Sequence, residues 1–315
     1  MAVVIFGVTG IILRVDFLPP PGSASLPIGG VRTVVKEPTT KGNAMKFVTG
    51  LLSAAVVSLT AAAMPAQAET LRVGMECTYA PFNYRTPEGE MAGYDVDVAK
   101  GIAERIGVEL DYVCQEWDGM IPALLASKFD LIVASMSITE ERKQKIDFSV
   151  PYRVSLGRIL GSKDAALKLF DADGKPIPEA FNGLRFGVER ASTYAKWVEA
   201  KLPGAEIALY DGAQPMLLDL QNGRIDIAIT NPMKAYLDFL SKENGAGFEF
   251  VSPPIDEVEY FGPGVGVGLR KGNDELLAKI DKALEEMIKD GSLEKYSLKY
   301  FPFSIQPANW KGVGQ

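Results

Sequence analysis

Phe129-Asp130-Leu131-Ile132-Val133-Ala134 is an almost uninterrupted apolar run, and its length is that of a strand buried on both faces of a parallel sheet. Working upstream, residues 71–75 (Leu-Arg-Val-Gly-Met) alternate with period two and read as a first strand. Between the two, Val98, Ile102 and Ile106 with Ala99 and Ala103 share one helical face. Asp95 is placed to cap that helix and Gly107 to end it. A second strand is expected over 108–114 and a second helix over 119–127, so this stretch reads βαβαβ. Downstream the same order returns, with strands at 184–188, 206–210 and 225–230 and helices at 193–200 and 215–221. Two α/β units in tandem are the expected fold class. A last strand over 264–269 precedes a helix over 273–289, whose Leu276, Leu277, Ile280, Leu284, Met287 and Ile288 form one face, with Gly291 as its stop.

Composition narrows the function classes. The chain has 315 residues, 47% hydrophobic and 23% charged, which excludes a disordered tail and a polytopic membrane protein. Lys+Arg 33 against Asp+Glu 40 gives a net charge of −7, so the field opposes nucleic acid and anionic membrane, and no nucleic-acid partner is expected. There is no histidine. Its absence removes the Ser-His-Asp and Cys-His mechanisms and the usual zinc ligand set, so no metal and no cofactor is expected.

The N-terminal part reads as targeting sequence. Met45-Lys46-Phe47-Val48 opens an apolar run to Ala63, and Met64-Pro65-Ala66-Gln67-Ala68 supplies an Ala-x-Ala cleavage site. Residues 45–68 are therefore expected to be a secretory signal peptide and 1–44 an extension from a mis-assigned start. The remaining chain from Glu69 carries 28 basic against 38 acidic residues, near −10. Export places Cys77 and Cys114 in an oxidising compartment. Each closes a predicted strand, and they read either as a disulfide or as two separate small buried residues.

Gly93-Tyr94-Asp95-Val96-Asp97-Val98 resembles the family-three signature of bacterial extracellular solute-binding proteins, which bind polar amino acids for ABC importers. The resemblance extends over 70–303 through Thr78-Tyr79-Ala80-Pro81-Phe82, Trp117-Asp118-Gly119-Met120-Ile121-Pro122, Ser135-Met136-Ser137-Ile138-Thr139-Glu140-Glu141-Arg142, Phe148-Ser149-Val150-Pro151-Tyr152 and Gly264-Val265-Gly266-Val267-Gly268-Leu269-Arg270-Lys271. It is nearest in pattern to the lysine, arginine, ornithine and histidine binders and to the octopine and nopaline binders. What it implies is a two-lobe periplasmic binding protein of type II, with the ligand in a cleft between lobes joined by a two-strand hinge. Lobe 1 would comprise 69–154 and 261–315 and lobe 2 155–260, with hinges near 154–156 and 257–260. An inner-membrane ABC permease and its ATPase would be the partners, and the chain would act as a monomer in the periplasm.

The residue types suit an amino-acid ligand. A guanidinium matches a carboxylate in shape and charge, which makes Arg142 the first candidate for the carboxylate clamp. A Glu-Glu-Arg-Lys run alone would read as a solvated helix face; the Ser-x-Ser-x-Thr-x-x-Arg pattern around it reverses that reading. Ser135 and Ser137, with Ala134 beside them, end a strand, and Ser192 and Thr193 open a lobe-2 helix whose amides attract an anion. Tyr79 and Trp117 follow strand ends, where relatives place rings against the ligand side chain.

Glu76 lies where basic amino-acid binders carry an acid aimed at the distal cation, and Glu189 is expected to add a second carboxylate. One departure concerns Asn231, since the family usually has Asp there to grip the ligand α-ammonium. Its neutral amide favours an opine-like, N-substituted basic amino acid, with arginine, ornithine or lysine as the alternative. A second class, a cyclohexadienyl or arogenate dehydratase on the same fold, would need Glu189 as proton donor.

Overall fold

The computed structural model describes residues Glu69–Gln306. The expected extension, the signal peptide and the last residues of the chain lie outside the described residues. No helix among the described residues is long and apolar enough to cross a membrane.

Two five-stranded sheets carry the two lobes. In lobe 1 the order is Glu109–Cys114, Thr70–Met75, Leu131–Ile132, Gly268–Leu269, Asp147–Phe148. In lobe 2 it is Glu206–Tyr210, Arg185–Glu189, Ile227–Thr230, Arg158–Ser162, Phe248–Phe250. The first three strands of each sheet are parallel, as βαβ connections require, and the fourth runs antiparallel to the third. The fourth strand of each sheet follows a crossing between the lobes. The chain passes from Arg153 to Arg158 on the way out and re-enters lobe 1 shortly before Gly268–Leu269. Strands 147–148, 158–162 and 248–250 carry no period-two signal long enough to read from sequence, and they complete the sheets that the βαβαβ units begin.

The run at 129–134 behaves as its composition dictates. Leu131 and Val133 join the core with Val73, Ile102 and Ile280, whereas Ile132 and Ala134 pack with Met120, Leu124 and Phe129 on the opposite face. Burial of each large side chain there contributes about 1.5–3 kcal/mol. Ladder pairing is confined to Leu131–Ile132, because the chain peels away towards the cleft after Val133.

The helix Tyr94–Ile106 ends at Gly107 in the left-handed conformation, as expected. Its start differs. Gly93, not Asp95, is the cap, with φ 124°, and a Cβ there would collide with the Phe82 carbonyl. Asp95 sits inside the first turn and is wholly buried, with its carboxylate turned to Asn83, Ser135 and Tyr152. The helix Asp274–Lys289 buries Ile280, Leu284 and Met287, while Leu276, Leu277 and Ile288 pack at its margin.

The crossing segments are pinned as an antiparallel pair at both ends, by Arg153 with Val265 and by Gly157 with Ile255. The outward crossing is extended, but the return carries the one-turn helix Val258–Phe261, so the hinge expected over 257–260 is not a plain strand. The extra length allows that turn, and Phe261 buries its ring in the lobe-2 core.

Cys77 and Cys114 form a disulfide, with Cα atoms 5.6 Å apart. Parallel pairing of Met75 with Cys114 brings the two strand ends together, which settles the alternative left open by spacing. The bond closes a long loop, and its loss is expected to cost about 2–4 kcal/mol. Denaturant unfolding of Cys77→Ser/Cys114→Ser should show a lower midpoint; an unchanged midpoint would mean the bridge adds nothing to stability.

Candidate ligand-binding site

The cleft is built at the carboxyl ends of the parallel strands, where open α/β sheets place their ligands. Glu76 follows Thr70–Met75, and its amide and that of Cys77 both donate to Asn83 Oδ1, at 3.0 and 3.2 Å. Asn83 Nδ2 donates to Asp95 Oδ2 at 2.8 Å. The same carboxylate accepts from Ser135 Oγ and from the Tyr152 hydroxyl, each at 2.8 Å. The Asp95 of the Gly-Tyr-Asp motif therefore holds two cleft walls in register, the Glu76 loop and the Ser135 loop. Cys77, Ser135 and Ala191 all have positive φ, and all three lie at or beside the cleft. Such conformations concentrate where a site imposes them on the chain.

Arg142 occupies the short helix Glu140–Lys143, which Thr139 caps by accepting the Arg142 amide. The guanidinium donates to the Ser137 carbonyl at 3.0 Å and, across the cleft, to the Ala191 carbonyl of lobe 2 at 3.2 Å. It lies 5.3 Å from the centre of the Trp117 ring. Burial lowers its pKa to about 10, which leaves it cationic at neutral pH. Opposite it, Ser192 caps the helix Thr193–Lys201 by accepting the Ala195 amide, while its hydroxyl donates to the Glu189 carbonyl at 2.6 Å. Capping and a place in the cleft wall thus coincide at Ser192. Ser137 Oγ pairs with Ser155 Oγ at 2.7 Å.

At the other end, Glu76 from lobe 1 and Glu189 from lobe 2 are both buried. Burial, together with the charge of Glu189, pushes Glu76 up to about 8. Glu189 is pushed up to about 7 by burial, against the pull of Lys234. Glu189 Oε1, Trp117 Nε1 and Arg153 Nε are buried without a hydrogen-bond partner, so the cleft keeps one acceptor and two donors uncommitted. Tyr79 lines the same end, its ring stacked 5.5 Å from that of Phe82.

Ten of the eleven residues expected in the site line this one cleft: Glu76, Tyr79, Trp117, Ala134, Ser135, Ser137, Arg142, Glu189, Ser192 and Thr193. Asn231 is the exception. It caps the helix Pro232–Ala235, with Oδ1 accepting the amides of Met233 and Lys234, so the carbonyl expected to face the ligand is already engaged. Arg153, Ser155, Leu156 and Tyr194 also line the cleft without having been singled out in the sequence. The first three lie in or beside the outward crossing, whose irregular sequence carries no motif. Lys234 was missed as well. It is only 1% exposed, and its ammonium donates across the lobes to the Ala80 carbonyl at 3.3 Å.

A cleft walled by both lobes and lined by Arg142 and the paired acids Glu76 and Glu189 suits a polar, charged solute. Residues 71–303 match the bacterial extracellular solute-binding proteins, family 3, and the chain belongs to that family. It is 35% identical over 261 residues to the L-arginine-binding protein of Pseudomonas aeruginosa, covering 82% of this chain and 98% of that one. To the lysine/arginine/ornithine-binding periplasmic protein of Escherichia coli it is 33% identical over 251 residues, or 79% and 94% of the two chains. Among solved structures it resembles an ancestral amino acid-binding protein described as a precursor of cyclohexadienyl dehydratase, with a TM-score of 0.62 and 32% identity over 74% of this chain and 95% of the other.

Proposed function

We propose that this protein is the periplasmic receptor of an ABC importer, exported by its N-terminal leader and acting as a monomer that hands its ligand to an inner-membrane permease and ATPase. Its ligand is an amino acid with a cationic tail: arginine, ornithine or lysine, or an N-substituted derivative of the opine kind. The observation that carries this reading is the charge of the cleft lining, in which the Arg142 guanidinium and the buried Glu76–Glu189 pair border one site. A carboxylate meets the guanidinium in bidentate geometry, and the tail brings the charge that two buried carboxylates require. Likeness to an arginine binder and to a lysine/arginine/ornithine binder supports the same ligand class. The engaged Asn231 carbonyl supplies no charge to an α-ammonium, which is what favours a substituted nitrogen.

The function is binding without chemistry. A dehydratase would use Glu189 as its acid, but the buried Glu76–Glu189 pair calls for a cation, and prephenate and arogenate would bring a ring carboxylate instead. Failure to turn over either compound is the expected result; measurable turnover would overturn that part of the reading. The ligand class is tested by thermal unfolding of protein refolded from denaturant, which strips carried-over ligand. Basic amino acids and opines at a thousandfold excess over Kd should add about 4 kcal/mol of stability. Neutral and acidic amino acids should leave the midpoint unchanged. A midpoint raised only by neutral or acidic ligands would refute the proposal.

A further inference from the structure

Two buried cations near the cleft are not used by the ligand-binding reading: Arg153 lines it and acts on the buried Asp95, whereas Lys234 acts on Glu76 and Glu189. Asn231 caps the helix Pro232–Ala235 and so turns Lys234 inward. Its Nζ donates to the Ala80 carbonyl and, at 3.2 Å, to Asp238 Oδ2, and it stands 4.8 Å from the centre of the Tyr79 ring. Asp238 is shared with Lys242, at 2.8 Å, so its charge is divided between two ammonium groups. Tyr79 faces the ligand cleft, whereas Lys234 does not line it. The field of Lys234 nevertheless reaches both Glu76 and Glu189, favouring the ionised form of each. A charge held in place at low exposure is poorly screened by solvent.

Resting on the function proposed above, we infer that Lys234 is a specificity-determining residue that sets the charge of the acidic end. Once a cationic tail holds both carboxylates ionised, Lys234 offsets one of them, so that the acidic end carries a net single negative charge and takes a ligand with a single cationic tail. In such a site the preference for a charged over a neutral isosteric tail is held down by the built-in ammonium. Removing that ammonium leaves two carboxylates to face the tail, and the preference grows.

Arginine and citrulline are the probes, since they share shape and differ in tail charge. Affinities are measured by calorimetry at pH 8 on the refolded protein and on K234M, K234R and D238N. K234M should raise the arginine-to-citrulline affinity ratio by about tenfold, on the order of one moderately screened unit charge. K234R keeps the charge and should hold the ratio within about twofold. D238N frees the Lys234 charge from its partner and should lower the ratio; it decides the matter if K234M does not fold. A packing role would weaken both ligands alike in K234M, and an unchanged ratio in K234M or D238N overturns the inference while leaving the proposed function intact. Should the unsubstituted protein bind neither arginine nor any other cationic amino acid, the proposed function fails, and this inference with it.

Discussion

Arg142→Ala should abolish measurable binding of amino-acid ligands, with a loss of at least about a hundredfold to a thousandfold in affinity. Each charge-assisted hydrogen bond contributes about 1.5–3 kcal/mol, and a carboxylate takes two from a guanidinium. Of the five N–H donors such a group carries, two are engaged by the carbonyls of Ser137 and Ala191. The remainder are available to a ligand. Burial lowers the Arg142 pKa only to about 10, so the cation persists throughout the assay range. Arg142→Lys keeps the charge but loses the planar fork and should recover only part of the affinity. Calorimetric titration with arginine checks both, with circular dichroism to confirm the fold. Retention of binding within about threefold in Arg142→Ala would exclude this residue as the clamp.

The second large effect is on pH dependence. Glu76 and Glu189 are raised to about 8 and about 7 by burial, and for Glu76 also by the facing charge. An unfolded glutamate titrates near 4.3, so between about pH 5 and 8 the folded protein binds more protons than the unfolded chain. Stability therefore falls as pH rises through that window, by up to about 1.4 kcal/mol per unit for each proton held. The absence of histidine removes the residue that would ordinarily obscure this range. Surface carboxylates with lowered pKa, such as Asp226 beside Arg185 and Asp219 beside Arg224, act in the opposite sense but only at lower pH. Refolded protein should thus melt at progressively lower temperature from pH 5.5 to 8.5. Glu76→Gln should flatten the slope, and saturating arginine should flatten it too, because a cation holds both carboxylates ionised. A melting temperature that rises over the window would contradict the assignment.

Much of this architecture was legible in the sequence, for a physical reason that also sets the limit. Parallel strands buried on both faces, such as 129–134, and the amphipathic helix over 274–289 announce themselves through local periodicity. Strand Arg158–Ser162 and its partner Phe248–Phe250 are antiparallel additions whose pairing is long-range, and their local pattern is too short to declare it. At the site, side chains next to strand ends were found because the strand ends were found; Glu76, Trp117, Ser135 and Glu189 are cases. Asp95 was misplaced as a cap because an aspartate at a helix start usually serves there, whereas here three side-chain donors compete for it. Asn231 was placed in the ligand site from family pattern, and its capping role, with Oδ1 accepting the amides of Met233 and Lys234, is the part that helix-start chemistry in Asn-Pro could have signalled. Lys234 escaped notice because a lysine with an acid four residues on, as Asp238 is, ordinarily reads as a solvated helix face, and the Ala80 carbonyl that it also meets comes to it only in three dimensions.

The fourth strand of the lobe-1 sheet has a consequence for the order of assembly. Gly268–Leu269 lies between Leu131–Ile132 and Asp147–Phe148, which precede it by more than a hundred residues. Every strand of the lobe-2 sheet, by contrast, falls within the continuous stretch 158–250. As the chain emerges from the ribosome, lobe 2 has all its strands while lobe 1 still lacks an interior one. The lobe whose sequence begins first is thus the last to close its sheet, and its long loop-closure entropy makes that step the slow one.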